Sequence, residues 1–130
     1  MKAKELYKKA KRLQKTIVFP EAGFSDRTLQ AVKYIQKKGI ARPVLIGDES
    51  ALILRDKSLS DFQIINPQTF QGKDELAQKL YQKRKDKGLT LEEAQELALD
   101  PYYFATLLVE TGYADGMVEG AENVLNVMLA

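Results

Sequence analysis

The chain has 130 residues and a net charge of +2, and it contains neither cysteine nor histidine. That length suits one domain with its own core, and 45% hydrophobic with 29% charged residues is the balance of a folded globular protein rather than a disordered one. The missing residue types exclude disulfides, thiolate nucleophiles, Cys or His zinc sites and an imidazole base.

No apolar run approaches the ~20 residues that span a bilayer, and the lack of Cys fits a reducing compartment, so a soluble, cytoplasmic protein is expected. The first fifteen residues carry seven basic side chains against Glu5 alone, which leaves the rest of the chain net acidic. Leu6, Tyr7, Ala10 and Leu13 recur there at helical spacing. We read a packed helix with a solvated basic face, not a targeting presequence or a nucleic-acid patch.

Residues 16–19, TIVF, are short, β-branched and apolar, and Pro20 closes them, as in a buried parallel strand. Ser25 can cap a helix with Asp26 in its first turn, a buried stripe of Leu29, Val32 and Ile35, Lys37 and Lys38 at its end, and Gly39 as its stop. A second strand follows over 43–46. The β-α-β unit this makes should cross over right-handed.

Asp48 starts a short helix through Leu54, 62–65 reads as a third strand, and 68–72 as a loop. Residues 73–87 form a charged helix in which Leu76, Leu80 and Arg84 fall on one row. Gly88 ends it. Thr90 and Glu93 have capping-box spacing for a helix to Leu99. Asp100 and Pro101 open the next helix as N-cap and first helical residue, with Phe104, Leu107, Leu108 and Thr111 on its buried face and Gly112 as its stop. Residues 114–118 make a short buried strand that runs into Glu119 and Gly120. After it, Leu125, Met128 and Leu129 have helical spacing. The whole predicts a single α/β domain over 1–130: a three-layer α/β/α sandwich around a mainly parallel sheet of three or four strands.

Ligands of open α/β sheets bind beyond the C-terminal ends of strands, here 20–25, 47–48 and 119–122. None of these holds a G-x-G-x-x-G or Walker A pattern, and the acidic cluster of a receiver domain is also missing. Arg27, in the first turn after strand one, can clamp an anion where backbone N–H groups already favour one, or pair with Asp26 or Glu21, or stay solvated. Arg84 extends an apolar row, so it either snorkels or binds a ligand. Asp115 reads as a turn or strand-entry residue, and Glu92, Glu93 and Glu96 as a solvated helix face. No metal site is predicted.

Three stretches, TIVFPEAGFSDRTLQAVKYIQKKGIARPVLIGD, YQKRKDKGLTLEEA and DPYYFATLLVETGYADGMVEGA, resemble the phosphate acetyltransferase family, including its butyryltransferase relatives. The likeness runs from about Lys2 to Ala121 and covers the N-terminal part of a family whose members are more than twice as long. It implies acetyl transfer between acetyl-CoA and phosphate, with coenzyme A or acetyl-CoA as substrate and no bound cofactor. Arginines at the positions of Arg27 and Arg84 are associated in the family with coenzyme A binding. Asp115, Gly116 and Gly120 belong to its loop motif. The family's catalytic groups lie in its second half, so no catalytic residue is assigned here, and a truncated or split domain, inactive alone, is expected. A second-half chain is then a candidate partner; nucleic acid and membrane are not expected.

The sequence departs from the family in one place that bears on charge. Glu119 stands where the family usually has serine, and 122–130 replace a polar segment. Carboxylates there would repel phosphate. The alternative reading is a noncatalytic α/β module that binds coenzyme A, a nucleotide or a partner chain.

Overall fold

The computed structural model describes residues 14–120 and 126–129, together with Lys4, Glu5, Lys8 and Arg12, which are helical. The apolar stripe expected on the N-terminal helix lies outside the described residues. Strands β1 (Thr16–Phe19), β2 (Arg42–Ile46), β3 (Gln63–Ile65), β4 (Gly116–Glu119) and β5 (Asn126–Leu129) form one sheet in the order β3-β2-β1-β4-β5. The first four run parallel, and β5 pairs antiparallel with β4.

Short apolar strands buried on both faces need helices on both sides, and the chain supplies them. On one face α1 (Asp26–Lys37) and α2 (Glu49–Arg55) pack Leu29, Val32, Ile35 and Leu52 against Ile17, Phe19, Leu45 and Val118. A 3₁₀ turn (Lys57–Asp61) adds Leu59, fully buried. On the other face α3 (Lys73–Arg84), α4 (Leu91–Leu97) and α5 (Pro101–Glu110) pack Leu76, Leu80, Ala94, Phe104 and Leu108 against Val18, Val44, Ile46 and Met117. Alternation along each strand sends neighbours to opposite layers, as Met117 and Val118 do. The three-layer sandwich is therefore the observed architecture.

Local signals set the boundaries. The Ser25 hydroxyl accepts from Thr28 N–H at 3.2 Å, and the Asp100 carboxylate accepts from Tyr102 and Tyr103 N–H at 3.0 and 3.2 Å, with Pro101 beside it. The capping box is complete: Thr90 Oγ1 accepts from Glu93 N–H at 3.1 Å, and Glu93 accepts from Thr90 N–H at 3.0 Å. Helix α3 tightens into a 3₁₀ turn at Lys85–Lys87, and Gly88 stops it in the left-handed conformation at φ 92°.

Two local expectations are corrected. The tail over 126–129 is a strand, not a helix, because the outer edge of β4 offers a ladder of N–H and C=O groups that overrides three apolar residues at ambiguous spacing. The first strand-forming residue of the 114–118 segment is Gly116, because Asp115 is held as the entry turn: its N–H donates to Thr16 O at 2.8 Å and its carboxylate accepts Thr16 N–H at 2.8 Å.

Candidate functional site

The chain turns from one half of the sheet to the other between β1 and β4. From β1 it proceeds outward through β2 to β3, then returns across the sheet to β4 on the far side of β1. The C-terminal ends of those two adjacent strands are the reversal point where open α/β sheets take ligands.

Glu21, two residues past β1, is only 8% exposed and joins three segments there. Tyr102 O–H, from the first turn of α5, donates to Glu21 Oε2 at 2.9 Å, and Gly120 N–H, at the end of β4, donates to Glu21 Oε1 at 2.7 Å. Gly120 has φ 76°, in the left-handed region that glycine enters without the Cβ penalty. A carboxylate of this chain thus occupies the reversal point itself.

Beside it lies a cavity of about 320 Å³ between α3, α5 and β4. Leu80, Leu107 and Met117 make its apolar floor; Tyr102, Tyr103, Arg84, Lys83 and Glu119 give it polar walls. Arg84 is exposed and its guanidinium lies over the Tyr103 ring, 5.5 Å from the centroid. The row Leu76, Leu80, Arg84 therefore ends as a cation resting on an aromatic face, which holds the guanidinium plane while leaving its N–H edges available. Lys83 pairs with Glu110 at 2.5 Å.

The electrostatics are uneven. Burial, then the hydrogen bond to Glu21 and the charges of Glu21, Glu119 and Asp100, push the Tyr102 phenol up to about 12. Burial, then the nearby Glu21, raise Glu119 above the usual carboxylate value. The β4 side of the cavity is thus rich in carboxylate oxygens, and the α3 side carries the cations.

Of the residues singled out by sequence, Arg84 and Gly120 come to this end of the sheet. Arg27 is exposed in the first turn of α1, on the opposite face, and is not among the described residues that wall the cavity. Its neighbour Asp26 pairs with Arg55. Asp115 and Gly116 stand at the other end of β4, beside Thr16, so they do not join Gly120. Sequence reasoning missed Glu21 as a brace and Tyr102 and Tyr103 as walls. A second stripe on α5, Tyr103, Thr106 and Glu110 at i, i+3 and i+7, was the available signal; all three line the cavity. Among the described residues no group of acidic side chains is placed to hold a metal, and no helix is long and apolar enough to cross a membrane.

The chain is thus a doubly wound α/β domain with an arginine- and tyrosine-walled cavity beside its reversal point. The comparisons narrow the class. A family model described as phosphate acetyl/butaryl transferase matches residues 1–130, so the chain belongs to that family. It is 41% identical over 124 residues to a phosphate acetyltransferase of Helicobacter pylori, covering 92% of this chain and 24% of that protein. It is 42% identical over 118 residues to one of Thermoanaerobacterium thermosaccharolyticum, covering 89% and 36%. Among solved structures, a phosphotransacetylase from Streptococcus pyogenes aligns with a TM-score of 0.77 at 30% identity, covering 95% of this chain and 40% of that one. The EutD phosphotransacetylase from Staphylococcus aureus aligns with a TM-score of 0.73 at 34% identity, covering 88% and 36%. The chain therefore spans about a quarter to two fifths of the length of these relatives.

Proposed function

We propose that the chain is the N-terminal, coenzyme A-binding portion of a phosphate acetyltransferase, an enzyme that moves an acetyl group between coenzyme A and inorganic phosphate. The observation that carries this reading is Arg84: a guanidinium fixed over Tyr103 at the mouth of a cavity, in a chain of this family. Its fork can engage a phosphate of coenzyme A bidentately, and the tyrosine rings and apolar floor can take up the ligand's less polar part. Arg27 would reach the same ligand only around the C-terminal edge of the sheet, since it lies on the other face.

The reaction needs a base to remove the proton from the thiol of coenzyme A, and donors that stabilise the oxyanion formed when the thiolate attacks the carbonyl of acetyl phosphate. By family resemblance those groups belong to the second half of such enzymes, so this chain's share is binding and orientation. A charge-assisted arginine contact contributes about 1.5 to 3 kcal/mol, whereas even a millimolar complex requires about 4 kcal/mol. The chain alone should bind coenzyme A weakly and turn nothing over. It is cytoplasmic in this reading, and the second half of the enzyme supplies the remaining groups.

Titration with coenzyme A, followed by calorimetry or amide chemical shifts, tests the assignment. Saturation in the millimolar range that Arg84→Ala weakens about tenfold or more is expected, and an unchanged affinity in that variant would refute the cavity assignment. Acetyl transfer from acetyl phosphate by the chain alone would refute the placement of the catalytic groups elsewhere. Saturable binding far tighter than millimolar, without turnover, would favour the noncatalytic binding module instead.

A further inference from the structure

The cavity is polarised across its width, and this has a consequence for what can enter it. On the α3 side stand Arg84 and Lys83, and Lys83 is held by Glu110. On the β4 side the lining ends in Glu119, half-buried, with the Glu21 carboxylate behind it. Gly120 N–H is the backbone donor that would meet an anion at the end of β4, and it is already engaged by Glu21 at 2.7 Å. Tyr102 O–H, a second donor at that wall, is also engaged by Glu21, at 2.9 Å. The inner wall therefore presents oxygen acceptors and negative charge where a ligand would look for donors.

Taking the cavity as the ligand site proposed above, we propose that Glu119 is its specificity-determining residue: it excludes anions from the β4 end and selects ligands with an anion at the Arg84 end and a hydrogen-bond donor, such as an amide, thiol or ammonium, at the inner end. Burial of Glu119 strengthens the discrimination, because a partly desolvated carboxylate is screened less by water and salt. A unit charge a few ångströms from an incoming dianion in such surroundings changes its affinity by at least about tenfold.

The test uses inorganic phosphate as the probe, at pH 8, where it is mainly a dianion. The parent chain, Glu119→Gln, Glu119→Ser and Glu119→Gln/Arg84→Ala are titrated while the amide signals of residues 117–120 are followed. Phosphate affinity, read at the 117–120 amides, is expected to rise about tenfold in both single variants, and the gain at those amides should persist with Arg84→Ala in the Gln background, because the position opened lies at the β4 end. Two variants guard against a change special to one side chain. A gain of less than twofold in both, or a gain at 117–120 that loss of Arg84 abolishes, would overturn the proposal. The coenzyme A titration separates this from the reading of function: if Arg84→Ala weakens coenzyme A but Glu119 variants leave phosphate unchanged, the site stands and the role of Glu119 fails.

Discussion

Removing the Glu21 carboxylate tests the arrangement on which the whole site depends. Glu21→Ala deletes two charge-assisted hydrogen bonds, from Tyr102 O–H at 2.9 Å and Gly120 N–H at 2.7 Å, at a residue only 8% exposed. Each such bond contributes about 1.5 to 3 kcal/mol. Against this, the substitution relieves the cost of burying the carboxylate and its repulsion with Glu119, a gain on the order of 2 kcal/mol. The net loss should be about 1 to 4 kcal/mol. In a domain of this size that lowers Tm by roughly 3 to 16 °C. Thermal and urea unfolding of Glu21→Ala, Tyr102→Phe and the double variant would give a coupling energy of about 1 kcal/mol or more, as expected for groups in direct contact. Phenolate absorbance gives an independent readout: without Glu21 the Tyr102 phenol should fall from about 12 part of the way toward 10.0, since burial, its largest cause, remains. Energies that simply add, together with an unmoved phenol titration, would refute the claim that Glu21 braces the ends of β1 and β4.

Three further outcomes are expected. Thr90→Ala removes the hydroxyl that accepts Glu93 N–H at the start of α4, leaving the backbone half of the capping box, and should cost about 1 kcal/mol, read by urea unfolding. Glu119→Gln should stabilise the protein at pH 7 to 8 and leave it unchanged near pH 4: burial raises the folded-state pKa, so ionised Glu119 penalises the fold above that raised value, and the penalty disappears as pH falls through it. Asp56 is held at about 2 chiefly by its hydrogen bond from Lys33, so its contribution is present above the ordinary value of 3.8 and is lost as pH falls toward 2; Lys33→Ala should flatten that part of the acid unfolding curve.

Much of the fold was legible because its determinants are local. Ser25, Asp48, Thr90 and Asp100 each accept a backbone N–H at the helix start their residue type predicts. The four parallel strands were readable as apolar runs closed by Pro or Gly. The fifth strand was not, because strand 126–129 is specified by its pairing with β4, a partner that spacing within the segment does not reveal. The 3₁₀ turn at Lys57–Asp61 was missed for a similar reason: it rests on Leu59, one buried residue, which leaves no period to read.

The site divides along the same line. Arg84 could be singled out because a charged residue interrupts a helical row, which is a local anomaly. Glu21 could not, since its partners Tyr102 and Gly120 lie 81 and 99 positions away and only the parallel pairing of β1 with β4 brings them together. Arg84, the stronger anomaly in the sequence, and Arg27 stand on helices packed against opposite faces of the sheet. That separation makes the ligand's path a matter of edge geometry: anything held by both arginines must pass over the ends of β1 and β4, where Glu21 and Glu119 already stand. In the proposed site the charge at that edge, rather than the number of arginines, would then set which ligands the domain holds.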